Sequence, residues 1–174
     1  MNTVRCITAT LFAIATGTVY AQAGAPNDAQ IAAIVVAANQ VDIDAGKLAE
    51  SKAKSAEVKE FARRMVTDHT GVNKQATALV TKLHVKPEEN ATSESLKKSG
   101  ADTRKRLEGL KAAEFDRAYV DNEVTYHQTV LDAVDKTLIP NAKNEELKAL
   151  LIKVRPAFVA HLDHAKHIQA SLKK

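Results

Sequence analysis

The sequence predicts an all-α protein, a bundle of four long helices, and three observations predict it. Helix breakers are scarce, with 6 Gly and 4 Pro in 174 residues. The remainder is rich in Ala, Leu, Lys and Glu, the strong helix formers. Apolar residues recur at spacings of three and four, the period of one helix face, and no stretch sustains the alternation of a strand.

The chain opens differently. Met1 to Arg5 carries one base and no acid, and Cys6 to Val19 is a run of 14 apolar and small residues. Val19-Tyr20-Ala21 then fits the small-x-small rule of a processing site, so residues 1–21 read as a secretory signal peptide cleaved after Ala21, with Ala23 the neighbouring alternative. The run is shorter than the ~20 apolar residues a membrane-spanning helix needs. Residues 22–27 form a linker, and residues 28–174 the bundle domain. The expected location is the periplasm or the medium. The single cysteine, Cys6, lies in the signal, so the mature domain is expected to have no disulfide, no thiol ligand and no Cys-x-x-Cys-His haem attachment. Without Arg5 the charges are 24 basic and 21 acidic, a net of +3, and they are interleaved. Aromatics are 4% and Trp is absent. A nucleic-acid surface needs a basic stripe with stacking rings, so no nucleic-acid partner is expected. No transmembrane segment is expected after the signal. A homo-oligomer or an envelope partner stays open.

The first helix spans about Asp28 to Lys54, with Asp28 as N-cap and a stripe of Ile31, Ile34/Val35, Ala38, Val41, Ala45 and Leu48. The second spans about Ala56 to His84, on Val58, Phe61/Ala62, Met65, His69, Val72, Ala76, Leu79 and Leu83; Ser55 marks the break before it and Pro87 blocks its continuation. Residues 87–95 are turn-like. Thr92 or Ser93 would cap a short helix ending near Gly109. The third long helix runs from about Ala112 to Leu138, on Val120, Val124, His127, Leu131 and Val134, and Ile139-Pro140-Asn141 ends it. The fourth runs from about Asn144 to Leu172, on Leu147, Leu151, Val154, Phe158, His161, Ala165 and Ile168, with Pro156 expected to kink it near Ile152. Short turns make two antiparallel hairpins. The long connection between them can cross the length of a bundle, which is the ferritin-like arrangement rather than simple up-and-down; it is taken to set the first and third long helices parallel.

Three of the four stripes carry a histidine: His69, His127 and His161. The first helix carries Asp42 at its stripe's edge. These four are the candidate metal ligands, with Asp68, Tyr119, Glu123 and His164 around them. Imidazole and carboxylate are ligands that Zn, Fe and Cu accept, and bundle cores host such sites. Counted from the hinges at ~1.5 Å per residue, Asp42 and His69 lie about 18 and 22 Å deep and His127 about 21 Å. His161, at about 30 Å, falls a turn or two deeper, opposite Tyr119, so the spacing favours a three-residue site or two polar pairs. Ring nitrogens more than about 8 Å apart would count heavily against one shared site, since ligand bonds are only about 2 Å. The competing reading is a polar cluster in which hydrogen-bonded histidines fix helix register. A di-iron centre needs Glu-x-x-His, but Val66, Val124 and Phe158 stand three residues before the histidines. Met65, one turn before His69, could join it on a haem iron, but reads better as core filling. Lys97-Lys98 and Arg104-Lys105-Arg106 read as a solvated helix face.

Several segments resemble the domain-of-unknown-function family 4142: Ala38-Asn39-Gln40-Val41-Asp42, Gly46-Lys47-Leu48-Ala49, Val58-Lys59-Glu60-Phe61-Ala62, Met65-Val66-Thr67-Asp68-His69-Thr70, Phe115-Asp116-Arg117-Ala118-Tyr119, His127-Gln128 and His161. The resemblance covers nearly all of Asp28 to Leu172, and the Met-Val-x-Asp-His and Phe-Asp-Arg-Ala-Tyr segments are its most specific parts. It implies export and a ferritin-like bundle, and no reaction. Where the family often has Glu, this chain has Asp42. No cofactor is firmly implied; a transition metal is the candidate. The expected function is a non-enzymatic, stress-related binding or interaction module, with a metal-binding or redox bundle as the alternative.

Overall fold

Asn27, rather than Asp28, starts the first helix of the computed structural model, which describes residues 24–173. The expected signal peptide lies outside them. The Asn27 side chain accepts from Gln30 N, and Gln30 reaches back to the Asn27 N–H, closing a capping box on α1 (Asp28–Lys52). Asp28 has another task. Its carboxylate accepts from Lys143 N and Asn144 N at 2.8 and 3.0 Å, fastening the start of α1 to the turn before the last helix.

Ser55, at the break the sequence marks, is the N-cap of α2 (Ala56–Lys82). The chain leaves α2 through His84, at φ 54°, and reaches Pro87. The connecting helix α3 (Ala91–Glu108) is 18 residues long and is capped by Asn90, not by Thr92 or Ser93. α4 (Ala112–Ala133) passes into a π-helical turn over Val134–Leu138 and a last turn, α5 (Ile139–Asn141), so this helix runs past the end expected at Leu138. Pro140 accounts for the wide turn: it has no N–H for the carbonyl four residues back, and the chain instead bonds Ile139 N to Val134 O, five residues back. α6 (Glu145–Leu172), capped by Asn144, continues through Pro156. Ile152, whose carbonyl Pro156 cannot reach, is the one large apolar side chain left exposed among the described residues.

Hydrogen bonds at the two ends of the bundle set the helix directions. Glu88 N bonds Ala29 O, and Lys52 Nζ bonds Glu108 O, so α3 runs parallel to α1 along its length. The α1–α2 hinge is held by Asp116 at the start of α4, whose carboxylate accepts from Lys54 N at 3.0 Å and Ser55 N at 2.8 Å. The start of α4 therefore lies at the end of α1, and the two are antiparallel. The parallel setting expected of the first and third long helices does not hold: a connection that itself crosses the bundle returns the chain to the end where α2 began, so α4 repeats the direction of α2. Lys82 pairs with Glu146, and Ser171 donates to Glu57, which sets α6 antiparallel to α2.

The residues of α3 explain its place. Only Ser93 and Leu107 are buried, and Lys97, Lys98 and Arg104 pair with Glu89, Asp102 and Glu108 on the surface. That basic stretch is a solvated, self-paired face. α3 lies on α1, and α1 is accordingly buried on several sides, Ala32, Ala33, Ala37 and Ile43 included. At Gly46 an added Cβ would stand 2.9 Å from Val66 Cγ2 and 3.1 Å from Ala62 O, so glycine there lets α1 and α2 approach closely.

Two apolar clusters fill the bundle. One gathers Ile31, Ile34, Val72, Leu131, Leu138, Leu151 and Phe158; the other gathers Ala49, Phe61, Met65, Phe115, Tyr119 and Ile168. Met65 is core, as expected. Asp116 at the hinge apart, the buried polar residues of the long helices fall where one cluster gives way to the other: Asn39 and Asp42 on α1, His69 on α2, Glu123 and His127 on α4, His161 on α6. Substituting Asp116→Ala would leave two backbone N–H groups at the hinge without acceptors, and we expect a loss of about 2 kcal/mol in urea unfolding. A loss below about 0.5 kcal/mol would show that the hinge does not depend on this carboxylate.

Candidate metal centre

The polar layer is built so that each histidine is held by one ring nitrogen and presents the other. Asn39 Nδ2 donates to Val35 O at 2.7 Å, which turns Asn39 Oδ1 toward His69 Nδ1, also at 2.7 Å. An amide oxygen only accepts, so Nδ1 carries the proton and Nε2 the lone pair. His127 Nδ1 donates to Glu123 O one turn back on α4, at 3.0 Å, which leaves its Nε2 as the lone-pair atom. His161 Nε2 donates to the Asp68 carboxylate at 2.9 Å, which leaves its Nδ1. His69 Nε2, His127 Nε2 and His161 Nδ1 are all buried, and none has a hydrogen-bond partner among the described residues.

The three rings form a nearly equilateral triangle. Centroids are 5.6 Å apart for His69 and His127, 5.3 Å for His69 and His161, and 5.4 Å for His127 and His161. One nitrogen from each lies within 4.8 Å of the others. Asp42 Oδ2 sits 3.3 Å from His69 Nε2 and 3.9 Å from His127 Nε2. Phe158 stacks on His69 with centroids 5.3 Å apart and closes that side with hydrocarbon.

All four candidate ligands therefore share one layer, and His161 is the correction. It does not lie deeper opposite Tyr119. Asn141 is not the base of its helix, because residues 142–144 form the turn and add no helical rise. Counted from Glu145, His161 is about 24 Å from that end and His127 about 21 Å, a difference of half a turn. Of the surrounding residues, Asp68 holds His161 and Glu123 lies against Asp42 and His127, each offering an oxygen or nitrogen within 4.8 Å of the others. Tyr119 and His164 belong to the neighbouring apolar cluster instead: Phe61 packs 6.3 Å from Tyr119 and 5.3 Å edge-on to His164. Asn39 was missed as a site residue, although it falls three before Asp42 on the same face. Tyr126 was missed as well; its hydroxyl donates to Ala38 O at 3.0 Å and anchors the α4 segment carrying His127 to α1.

Burial sets the charge states. It lowers His69 below the usual imidazole range, with the Asp42 charge pulling the other way, and lowers His161 to about 4 against the hydrogen bond it donates to Asp68. Burial also raises Glu123 well above the usual carboxylate range, and the Asp42 charge adds to this. For the metal-free protein the signs follow. Below pH 6.5 the unfolded chain protonates both imidazoles before the folded chain does, so their contribution is full above that value and is lost as pH falls toward 4. Glu123 acts oppositely above pH 4.5, where the folded chain keeps a proton the unfolded chain releases. The two signs oppose, so Glu123→Gln should steepen the loss of stability that urea unfolding reads on going from pH 7 to pH 5. A pH dependence unchanged by Glu123→Gln would contradict the assignment.

Among the described residues no helix is long and apolar enough to cross a membrane. No curated protein sequence matches this chain. Among solved structures, "CopM in the Cu(II)-bound form" is similar in fold, with a TM-score of 0.67 and 17% identity over 84% of this chain and 98% of that one. Residues 14–168 match the family described as domain of unknown function DUF4142. The two segments most specific to it have structural tasks here: Met65, Asp68 and His69 link the core to the histidine layer, and Phe115, Asp116 and Tyr119 secure the hinge end. The chain belongs to the DUF4142 family, as an all-helical bundle with a buried layer of three histidines and two carboxyl groups.

Proposed function

We propose that this protein binds one divalent transition-metal ion, Cu(II) foremost, through His69 Nε2, His127 Nε2 and His161 Nδ1, with Asp42 Oδ2 as fourth ligand. One observation carries the reading: three buried imidazole lone pairs converge, each fixed inward by an acceptor on the far side of its ring, and no donor among the described residues meets them. A cluster that only set helix register would close those lone pairs on hydroxyl or N–H groups, since each unmade bond costs about 1–3 kcal/mol. A cation satisfies all three. The outer partners Asn39, Glu123 O and Asp68 do what metal-bound histidines require, fixing tautomer and ring orientation.

The spacing fits. Ligands ~2.0–2.1 Å from a tetrahedral metal stand about 3.3 Å from one another, and the contacts from Asp42 to His69 and His127 are 3.3 and 3.9 Å. One nitrogen of each imidazole lies within 4.8 Å of the others, so closing the three rings on an ion needs only a modest contraction. Imidazole with carboxylate, in the absence of thiolate, suits Cu(II), Zn(II) and Ni(II), and the usual affinity order puts Cu(II) first. A protein of similar fold has been solved with Cu(II) bound. The reading keeps the expectation of a binding module and assigns no turnover. We further propose that it works outside the cytoplasm, following the signal-like residues 1–21.

The test is calorimetric titration of untagged, chelator-stripped protein with Cu(II) and with Zn(II). One equivalent should bind tightly, and the binding should disappear in His69→Ala/His127→Ala. Absence of stoichiometric binding, or binding unchanged in that variant, would overturn the reading.

A further inference from the structure

An apolar chamber of about 150 Å³ lies beside the histidine layer, lined by residues of α1, α3, α4 and α6. Its walls are hydrocarbon: Ile34 and Val35 from α1, Val130 and Val134 from the α4 segment, Leu151 and Val154 from α6. Its inner end is closed by His69, Phe158, Asn39 and Asp42. A second, larger space of about 660 Å³ opens at the end of the bundle where α1 and α3 begin, beside Gly24–Pro26. Ile34, Thr92, Ala133 and Leu138 line both spaces. The two are therefore an outer vestibule and an inner chamber with a common wall, and the inner one ends on the ring that Phe158 stacks against.

We infer that the inner chamber binds a small, uncharged, apolar molecule, no larger than a single aromatic ring, admitted through the vestibule and held against the His69 edge of the polar layer. Water is a poor occupant, because an ordered water needs two to four polar partners and the walls offer hydrocarbon. An empty apolar space of this size is enough for benzene or xenon. A charged or strongly polar ligand would be stripped of water with nothing along the walls to replace it. The position of α3 supplies a way in: it contributes Thr92 and Leu96 to the wall, and only Ser93 and Leu107 of that helix are buried. The inference does not rest on metal binding, since the chamber is formed by the chain alone.

Benzene and xenon are the probes, used on chelator-stripped protein so that the outcome is independent of the metal. Benzene at millimolar concentration should raise the melting temperature by several degrees, because a ligand that binds only the folded state stabilises it. Ala133→Leu places a larger side chain on the wall common to both spaces and should abolish the shift while circular dichroism reports an unchanged helix content. Crystals pressurised with xenon should show one site bounded by Val130, Val134, Leu151 and Val154. No benzene shift in the wild-type chain, or an equal shift in Ala133→Leu, overturns the inference. Should Ala133→Leu fail to fold, the xenon position decides: density in the chamber supports the inference, and an empty chamber overturns it.

Discussion

Replacing His161 by leucine should weaken metal binding by roughly 100- to 1,000-fold, the share of one ligand in the 10–16 kcal/mol typical of a four-ligand site. The same change should leave the metal-free fold as stable as before, or more stable by about 1 kcal/mol. His161 is 3% exposed and its Nδ1 has no partner among the described residues, so the ring brings an unmade hydrogen bond into the core. Leucine removes that cost and keeps an apolar side chain in the space. Its hydrogen-bond partner Asp68 is 43% exposed and can turn to water when the imidazole is gone. The opposed signs matter. A histidine kept to fix helix register would cost stability when removed, as most buried polar partners do. A histidine kept for a ligand costs stability by its presence. Calorimetry with Cu(II), together with urea unfolding in chelator, reads both quantities. A loss above about 2 kcal/mol in metal-free His161→Leu, with metal binding intact, would reverse the assignment.

The largest purely structural effect is expected at Phe61. It is 0% exposed and lies in the apolar cluster that joins the α1–α2 hinge to α4 and α6. Its ring meets Tyr119 at 6.3 Å and His164 at 5.3 Å, so it bridges α2 to both helices of the second hairpin. Phe61→Ala removes that bridge and leaves a cavity that close-packed helices fill only in part. Urea unfolding should show a loss of about 3–5 kcal/mol. A loss under about 1 kcal/mol would mean the hairpins are held together elsewhere, with the chamber-side cluster as the alternative.

Much of this was written in the helix periods. The four long helices, Ser55 at the first hinge, and Asp42, His69 and His127 in one layer could all be read from residues three and four apart. The resemblance to the family rested on segments that prove to tie the core to the histidines and secure the hinge. What could not be read depends on how elements meet. The level of His161 turns on three residues, 142–144, that belong to the turn rather than to a helix. The wide turn at Val134–Leu138 is signalled only by Pro140, which predicts a disruption but not that the chain will absorb it and go on. The direction of α4 required knowing that α3 itself spans the bundle. Asn39 looked like one polar residue among alanines, and its importance lies in a bond to a helix 30 positions away.

The chamber and the histidine layer divide the core between them. One offers hydrocarbon walls and the other converging lone pairs, and His69 and Asp42 stand on the boundary. A bundle optimised only for stability would have filled the first and removed the second.

Anomalous diffraction from crystals of the Cu(II)-loaded protein tests the central claim most directly. One copper peak should lie about 2.0–2.2 Å from His69 Nε2, His127 Nε2 and His161 Nδ1, with the Asp42 carboxylate completing the set. Copper found only at the surface, with the three buried rings unmoved and without metal between them, would contradict it.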